Sequence, residues 1–400
     1  MPRTESNAPA ALGAPSTYWL DADQCRVDDL AAVLRQATER ANLLNAVDVV
    51  SGVPVYDCSA LRSRLQRAGV RAALMAEWID VLQQGAGILV LSRAFDDATI
   101  VDAATAQFMA LIEAERAAGA GGDHFAKAGA NDRVWNALEK LCLRAPELFA
   151  AYYANDMLAL VSEAWLGPAY QVTSQVNCVN PGGAAQTAHR DYHLGFLTPA
   201  QAMRYPLHVH RMSPRLTLQG AVAHVDMPLE SGPTLYLPHS QKYAAGYLVV
   251  GHPEFQAFFD QHHVQLPLRK GDAVFFNPAL MHAAGNNRTH DVRRLANLLQ
   301  VSSAFGRAME TVDRMRMSRS LYPALLSLLE HGRLAMPEAE RAVAACAEGY
   351  AFPTNLDRDP PLGGLAPESQ QALMGRALAE HWTPERFESA LEERAERRLA

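Results

Sequence analysis

The chain has 400 residues, of which 49% are hydrophobic and 20% are charged. This composition predicts a globular protein with a sizeable buried core and excludes a disordered or collagen-like chain. The net charge of −7 argues against a dedicated nucleic-acid-binding protein, and five scattered cysteines without a Cys-x-x-Cys pair argue against a disulfide scaffold or a thiolate zinc site.

The first part of the chain, up to residue 167, is predicted to be mainly helical. Residues 1–16 contain no apolar segment of the secretory type, so we expect a flexible tail before a single domain over 17–400. Apolar residues recurring at helical spacing predict four helices, over Val27 to Leu44, Ala60 to Gln84, Asp96 to Ala118 and Val134 to Leu166.

The same N-terminal part contains one predicted strand, at 87–91, and a Gly-rich loop at 119–122. The apolar run around this strand is too short to cross a bilayer. We therefore expect a cytoplasmic protein that binds neither a membrane nor a nucleic acid.

From residue 168 to residue 305 the pattern changes to short strands separated by loops rich in Gly, Pro, Asn and Ser. These strands are predicted over Tyr170 to Val179, Leu216 to Val225, Thr234 to Leu237, Val264 to Leu268, Ala273 to Phe276 and Leu295 to Ser303. Such a series is typical of a β-sandwich or barrel. Helical spacing returns over 306–400, with a break around 353–367, so the β-core is expected to lie between helical segments.

Three residues of this core have the types and spacing of a non-haem iron site. On an extended strand His189 and Asp191 point to the same side, because alternate residues share a face. His282, directly after a predicted strand, supplies a second imidazole. Two histidines and one carboxylate form a facial triad that leaves three positions of an Fe(II) octahedron open.

A second His-x-Asp pair, His224 and Asp226, is present among the 14 histidines, so the motif alone is weak evidence. His189 and Asp191 follow a Pro-Gly-Gly turn and begin an aromatic-rich loop, which suits ligands at the mouth of a barrel. His224 ends an apolar strand and leads into a turn, for which a structural role is sufficient. We therefore prefer the first pair.

An arginine eleven residues after His282 is a candidate for binding a dicarboxylate. The guanidinium of Arg293 can hold a carboxylate through two parallel hydrogen bonds. In a facial-triad iron enzyme this carboxylate would be the distal end of 2-oxoglutarate. Arg294 is adjacent and points to the opposite face, so only one of the two can serve.

Four blocks of sequence, in this order, resemble the phytanoyl-CoA dioxygenase family of Fe(II)/2-oxoglutarate-dependent oxygenases. They are Pro181-Gly…Ala-Gln186-x-x-His189-Arg-Asp191, Ser231-Gly-Pro-Thr-Leu-Tyr-Leu-Pro-His-Ser240, Lys270-Gly-Asp-Ala-Val-Phe-Phe276 and His282-Ala-Ala-Gly-x-Asn-Arg-Thr289 with Arg293 following. The resemblance covers about residues 170–303. It implies an α+β fold with a double-stranded β-helix (jelly-roll, cupin-like) core flanked by N- and C-terminal helices.

By position, the resemblance implies that His189, Asp191 and His282 bind iron and that Arg293 binds the 2-oxoglutarate carboxylate. It also implies an enzyme that hydroxylates or otherwise oxidises a small organic molecule and releases succinate and CO2, with O2 as the second cosubstrate. Related halogenases replace the carboxylate ligand to admit chloride, so the presence of Asp191 favours hydroxylation.

Further cosubstrate contacts are suggested at three amide side chains, Gln186, Asn177 and Gln219. The chain departs from the family at Ala284, where many relatives have a hydroxyl residue, so one hydrogen bond to the cosubstrate is expected to be missing or supplied elsewhere.

Three residues beside the metal block, Tyr192, His193 and Phe196, are candidates for the substrate pocket. Packing of the loop explains Tyr192 and Phe196 equally well, and a loop or core role is the preferred interpretation of His193. Two other functions are compatible with the pattern. A zinc-dependent hydrolase could use the same histidines, but the chain lacks a His-Glu-x-x-His helix and the arginine would have no role. A non-catalytic binding protein on the same fold would not need an intact set of ligands.

Overall fold

The structure is a computed structural model that describes residues 18–119, 129–184, 186–191, 193 and 197–400. The tail expected at 1–16 lies outside these residues and stays a prediction. The strands are β1 Asp48–Val50, β2 Val53–Asp57, β3 Ile88–Ser92, β4 Asn131–Val134, β5 Gln171–Val179, β6 Thr217–Ala223, β7 Leu235–Leu237, β8 Val264–Gln265, β9 Ala273–Phe276, β10 Met281–Ala283 and β11 Arg294–Ser302.

Helices precede, separate and follow these strands along the sequence. They are α1 Val27–Leu34, α2 Cys58–Leu65, α3 Val70–Gln83, α4 Ala98–Ala117, α5 Ala137–Arg144, α6 Pro146–Tyr153, α7 Asp156–Leu166, α8 Pro199–Ala202, α9 Leu207–Met212, α10 Gly246–Val249, α11 Pro253–His262, α12 Arg314–Glu330, α13 Met336–Cys346, α14 Gln370–Ala379 and α15 Pro384–Arg397. No helix among the described residues combines the length and apolarity that a membrane span requires.

The strands form two sheets. The large sheet has eight strands in the order β1-β2-β3-β9-β6-β11-β5-β4, and the small sheet has three in the order β10-β7-β8. Every pair of neighbouring strands is antiparallel except β2 and β3. The molecule therefore has the expected α+β fold, with a double-stranded β-helix (jelly-roll) core and flanking helices.

Three apolar clusters hold the layers together. The largest joins the outer face of the large sheet to the helices that cover it. The second lies between the two sheets, where Tyr236 of β7 meets Val274 and Phe276 of β9. The third joins the outer face of the small sheet to α1, α10 and α11. This arrangement of layers leaves the inner faces of both sheets to build a site.

Strand β9 shows why this sequence forms a buried strand. Ala273 and Phe275 belong to the outer cluster, and Val274 and Phe276 belong to the inner one. Alternate residues of a strand face opposite sides, so an uninterrupted apolar run is required wherever both sides are covered. The turn Lys-Gly-Asp precedes this strand. It is held by the carboxylate of Asp272, which accepts hydrogen bonds from the main-chain amides of Arg93 and Arg269 at 2.8 Å each.

The N-terminal part contains more β-structure than predicted. The helix expected over 27–44 ends at Leu34, and the region up to 167 contributes four strands, β1 to β4, rather than one. The helix expected over 60–84 is broken at Gly69, whose φ of +79° does not suit a helix. The sequence did not predict strand β10 either, because three residues are too few to show the alternation of a strand.

Candidate metal and cosubstrate site

His189 and His282 are held side by side by an isolated antiparallel bridge. The amide of His189 donates to the carbonyl of His282 at 2.9 Å, and the reverse bond is 3.0 Å. His282 belongs to β10, which pairs with β7 of the small sheet. Their ring centroids are 4.4 Å apart, so two residues 93 positions apart in sequence present their imidazoles together.

Asp191 completes the cluster. Its amide donates to the carbonyl of Pro278 at 3.1 Å, which fixes the segment against the loop before β10. One carboxylate oxygen lies 3.9 Å from Nε2 of His189. The three candidate ligand atoms all lie within 4.8 Å of one another. This donor set fits an octahedral Fe(II) ion with open positions.

The hydrogen bonds of the two imidazoles leave the correct nitrogens open. Nδ1 of His189 donates to the carbonyl of Thr187, and Nδ1 of His282 donates to the carbonyl of Leu280, both at 2.9 Å. A carbonyl can only accept, so the proton is on Nδ1 and the Nε2 lone pair is available. Burial, reinforced by the neighbouring His189, lowers the pKa of His282 to about 4, so this ligand is neutral at physiological pH.

Gln219 orients the carboxylate. This β6 residue donates its side-chain amide to the second oxygen of Asp191. Its own carbonyl oxygen, Oε1, is buried and has no hydrogen-bond partner among the described residues. The sequence pointed to Gln219 as a cosubstrate contact; the structure places its amide nitrogen on the metal cluster instead.

The cluster opens into a cavity of about 560 Å³ between the two sheets. The predicted cosubstrate contacts Gln186, Asn177 and Gln219 all line it. The main-chain amide of Gln186 also donates to the carbonyl of Ala284 at 3.0 Å, which joins the metal-bearing segment to the strand of the second histidine. Ala284 itself lines the cavity and offers no hydroxyl.

Arg293 does not reach this cavity. Its side chain is 41% exposed and lies 3.7 Å from the carboxylate of Asp132, and its Nε donates to the side chain of Asn180 at 3.3 Å. The adjacent Arg294 lines the cavity instead, together with Ala296, Leu298 and Gln300 of the same strand. The structure thus places Arg294, and not the predicted Arg293, in the cavity wall; which arginine binds a cosubstrate stays a prediction.

Arg294 carries a buried positive charge that no carboxylate of the described residues neutralises. It is 7% exposed, forms no ion pair with any carboxylate of the described residues, and its Nη1 lacks a hydrogen-bond partner there. Burial lowers its pKa to about 10, so it is still protonated at neutral pH. A buried guanidinium of this kind requires an anionic partner, and a carboxylate fits its two parallel donors.

The second His-x-Asp pair lies away from the cavity, with His224 in the core and Asp226 exposed. His224 is 1% exposed, and hydroxyl groups engage both of its ring nitrogens: Thr105 at 2.8 Å and Tyr152 at 2.9 Å. Asp226 accepts the amide of Lys270 at 2.8 Å. With both nitrogens bound, His224 is a packing residue, as its sequence context indicates.

The remaining pocket candidates are only partly described. Tyr192 and Phe196 lie outside the described residues. His193 does not line the cavity: its Nδ1 lies 2.7 Å from the hydroxyl of Thr217, and its Nε2 accepts the amide of Arg307 at 3.2 Å. These contacts fix the loop, which is the alternative that the sequence left open.

Arg133 and Trp135 are among the cavity residues that the sequence reasoning missed. Arg133 is on β4, where it donates to the side chain of Gln175 at 2.8 Å and lies with its Cζ 5.2 Å from the ring centroid of Trp135. Strand β4 has the sequence Asn-Asp-Arg-Val, which contains no alternation of apolar residues. A hydrophobic pattern therefore could not have identified either residue.

Comparison with known proteins gives partial matches of two kinds. Dioxygenase trt7 of Aspergillus terreus (strain NIH 2624 / FGSC A1156) is 31% identical over 150 residues, which are 38% of this chain and 42% of that protein, so the match spans less than half of the relative. The α-ketoglutarate-dependent epimerase SnoN from nogalamycin biosynthesis gives a TM-score of 0.41 at 20% identity, over 58% of this chain and 82% of that one. The carbocyclase SnoK from the same biosynthesis gives 0.42 at 20% identity, over 60% and 89%.

The family model of phytanoyl-CoA dioxygenase (PhyH) matches residues 83–295. This range runs from the end of α3 through β3 to the first residues of β11. It contains the three candidate metal ligands and both adjacent arginines. The chain therefore belongs to the phytanoyl-CoA dioxygenase family, whose cofactors are Fe(II) and 2-oxoglutarate.

Proposed function

We propose that this protein is a dioxygenase that hydroxylates a small organic substrate, with release of succinate and CO2. The observation that supports this most strongly is the juxtaposition of two features in one cavity. One is the cluster of His189, Asp191 and His282, with ligand atoms within 4.8 Å of one another. The other is the buried and uncompensated guanidinium of Arg294.

The first feature would hold the metal. His189 and His282 would bind Fe(II) through Nε2, since their Nδ1 hydrogens are already donated to carbonyl groups. Asp191 would bind through the oxygen that Gln219 leaves open. The bound Fe(II), with 2-oxoglutarate, supplies O2 activation coupled to oxidative decarboxylation.

The second feature would hold the cosubstrate. Arg294 would bind the distal carboxylate of 2-oxoglutarate through two charge-assisted hydrogen bonds. Asn177 lines the same cavity, and its Oδ1 is buried without a partner among the described residues. Gln186, on the metal-bearing segment, would contact the cosubstrate from the opposite side.

The remainder of the cavity indicates what kind of substrate fits. A group of apolar side chains would keep water away from the reacting atoms: Met227, Leu266, Leu268, Leu298 and Met309. A volume of about 560 Å³ admits a small molecule. The retained carboxylate of Asp191 occupies the position that a halide would need, which supports hydroxylation over halogenation.

The proposal is tested by anaerobic titration of the apo-protein with Fe(II) and 2-oxoglutarate, following the visible metal-to-ligand charge-transfer band. Wild type is expected to develop the band and His189→Ala is not. A wild-type protein that binds iron without the band, or that gives the band only with other metals, would overturn the proposal. Turnover is then measured as succinate released with a panel of candidate substrates.

A further inference from the structure

A second cavity, of about 510 Å³, lies between the end of β11 and the C-terminal helices. Its wall is formed by parts of the segment 306–315 and by side chains at the start of α14 and along α15. None of the candidate metal or cosubstrate residues lines it. It is therefore separate from the site described above.

Arginines dominate the charge of this second cavity. Four line it: Arg307, Arg314, Arg394 and Arg398. Arg314 and Arg394 are deeply buried, at 7% and 4% exposure. Arg314 donates to main-chain carbonyl groups only, at 2.9 to 3.3 Å.

Arg394 is the most informative of the four. Its Nε donates to the carbonyl of Glu368 at 3.1 Å, and its two terminal nitrogens have no acceptor among the described residues. Neither Arg394 nor Arg314 forms an ion pair with a carboxylate of that part of the chain. Burial is the largest influence on both guanidinium groups, and it lowers both pKa values. Protein interiors rarely keep such charges without a counter-ion.

Three acidic residues, Glu310, Asp313 and Glu348, also line the cavity, and Glu348 is close enough to attract both buried arginines. Glu348 is paired with Arg398 at 2.7 Å. Glu310 accepts the main-chain amide of Asn136 at 2.8 Å, and Asp313 accepts that of Arg316 at 2.9 Å, capping α12. The four arginines outnumber these three carboxylates by one, so the cavity offers hydrogen-bond donors and one net positive charge to whatever enters it.

We propose that the second cavity is a binding site for a small multivalent anion bearing phosphate or carboxylate groups. Arg394 would hold the anion through its open terminal nitrogens, and Arg307 would approach it from the other wall. Guanidinium groups bind both oxyanion types in the same forked geometry, so the shared chemistry defines the ligand class.

The position of this site gives it a connection to the first cavity. Met309 lines the first cavity, and its neighbours Ala308 and Glu310 line the second. The amide of Arg307 also donates to His193, two residues after Asp191. An anion in the second cavity would therefore lie against segment 308–310, which separates the two cavities.

The test is isothermal titration of the full-length apo-protein with inorganic phosphate, pyrophosphate and citrate at constant ionic strength. Wild type is expected to bind at least one of them. Arg394→Gln and Ala395→Glu should each weaken that binding at least tenfold; Ala395→Glu places a carboxylate in the cavity while keeping every arginine. Arg333→Gln, an exposed arginine on the loop after α12, is the matched control and should bind as wild type does. Preference for pyrophosphate or for citrate separates a phosphate ligand from a carboxylate ligand.

Three results would overturn the inference. The first is no binding of any of the three anions to wild type. The second is unchanged affinity in the folded variants, with Ala395→Glu deciding if Arg394→Gln fails to fold. The third is loss of binding in Arg294→Gln, which would put the anion in the first cavity. Because no iron or turnover is involved, the outcome is independent of the proposed oxygenase activity.

Discussion

Segments 189–191 and 224–226 have the same residue types at the same spacing, and the fold uses them for different purposes. His189 and Asp191 lie at an isolated bridge beside a cavity, with Nε2 of the histidine open. His224 lies in the core, between the hydroxyl groups of Thr105 and Tyr152.

The comparison teaches that a His-x-Asp motif becomes a candidate metal site through the partners of its nitrogens, not through its spacing. A carbonyl acceptor on Nδ1 fixes the tautomer and leaves a lone pair on the other nitrogen. Two hydroxyl partners occupy both nitrogens and leave none. The same distinction separates the adjacent arginines, since Arg293 has carboxylate and amide partners while Arg294 has no carboxylate partner among the described residues.

The largest expected effect is on Fe(II) affinity, and it tests whether the two histidines differ in function. His282→Ala should weaken Fe(II) binding by more than about a hundredfold, because loss of a direct ligand exceeds the 10- to 100-fold cost of losing a hydrogen bond to one. His224→Gln should keep wild-type iron affinity while lowering the free energy of unfolding by about 1–3 kcal/mol through its lost hydrogen bonds. Iron titration and urea denaturation measure the two quantities.

An opposite pattern would contradict the assignment of the two histidines. If His224→Gln lost iron at full stability while His282→Ala retained it, the second motif would be the metal site. Circular dichroism of both variants establishes that they are folded before iron is added.

The next effect separates the two arginines. Arg294→Gln should weaken 2-oxoglutarate binding to the iron-loaded protein by about thirty- to a hundredfold, which corresponds to about 2–3 kcal/mol for a buried charge-assisted pair. Arg293→Gln should change it less than about twofold, since an exposed ion pair contributes little. The concentration dependence of the charge-transfer band gives both constants. Equal losses in the two variants would indicate an electrostatic effect of the whole region rather than a specific contact.

The two adjacent arginines also show which features of the site the sequence could predict and which it could not. Strand alternation correctly predicts that one arginine faces the cavity. The choice between them depends on the phase of β11, which is fixed by the pairing of Arg294 with Val179 across the sheet. Long-range pairing of this kind has no local signature, so an error of one residue reverses the face of every side chain.

The strands also divide into those that the local sequence predicts and those that it does not. Strand β5 is predictable because it is nine residues long and rich in strand-forming residues, and β9 because it is continuously apolar. Strands β1, β4 and β10 have three or four residues each and are stabilised by their neighbours rather than by their own pattern. Arg133 was missed for this reason, whereas the metal cluster was found because its chemistry, rather than its periodicity, identified it.

A smaller effect is expected from the residue that orients the metal carboxylate. Gln219→Leu removes the amide that donates to Asp191 and keeps a similar volume. Iron affinity should fall about tenfold, the lower end of the range for partners of metal ligands. Gln300→Leu is the matched control, because Gln300 lies directly opposite on β11, lines the same cavity, and forms no hydrogen bond with the cluster among the described residues. Unchanged affinity in Gln219→Leu would show that Asp191 is positioned by its main chain alone.

The smallest expected effect is the pH dependence that His224 gives to the free energy of unfolding. Burial lowers the pKa of His224 to about 3, against about 6.5 in the unfolded chain. Below about pH 6.5 the unfolded chain takes up a proton that the folded protein does not, so this residue makes stability fall as the pH falls towards 3. His224→Gln lacks this contribution. The stability difference between wild type and variant should therefore shrink by about 1 kcal/mol between about pH 7 and about pH 5.5.

Urea denaturation of the apo-proteins at both pH values measures that difference. His282 and His239, whose pKa values burial also lowers to about 4, contribute equally to wild type and variant and cancel. A difference that stays constant with pH would mean that His224 takes up a proton in the folded protein as readily as in the unfolded chain. At least one of its two hydrogen bonds to hydroxyl groups would then have to reverse direction, because both ring nitrogens donate once the imidazole is protonated.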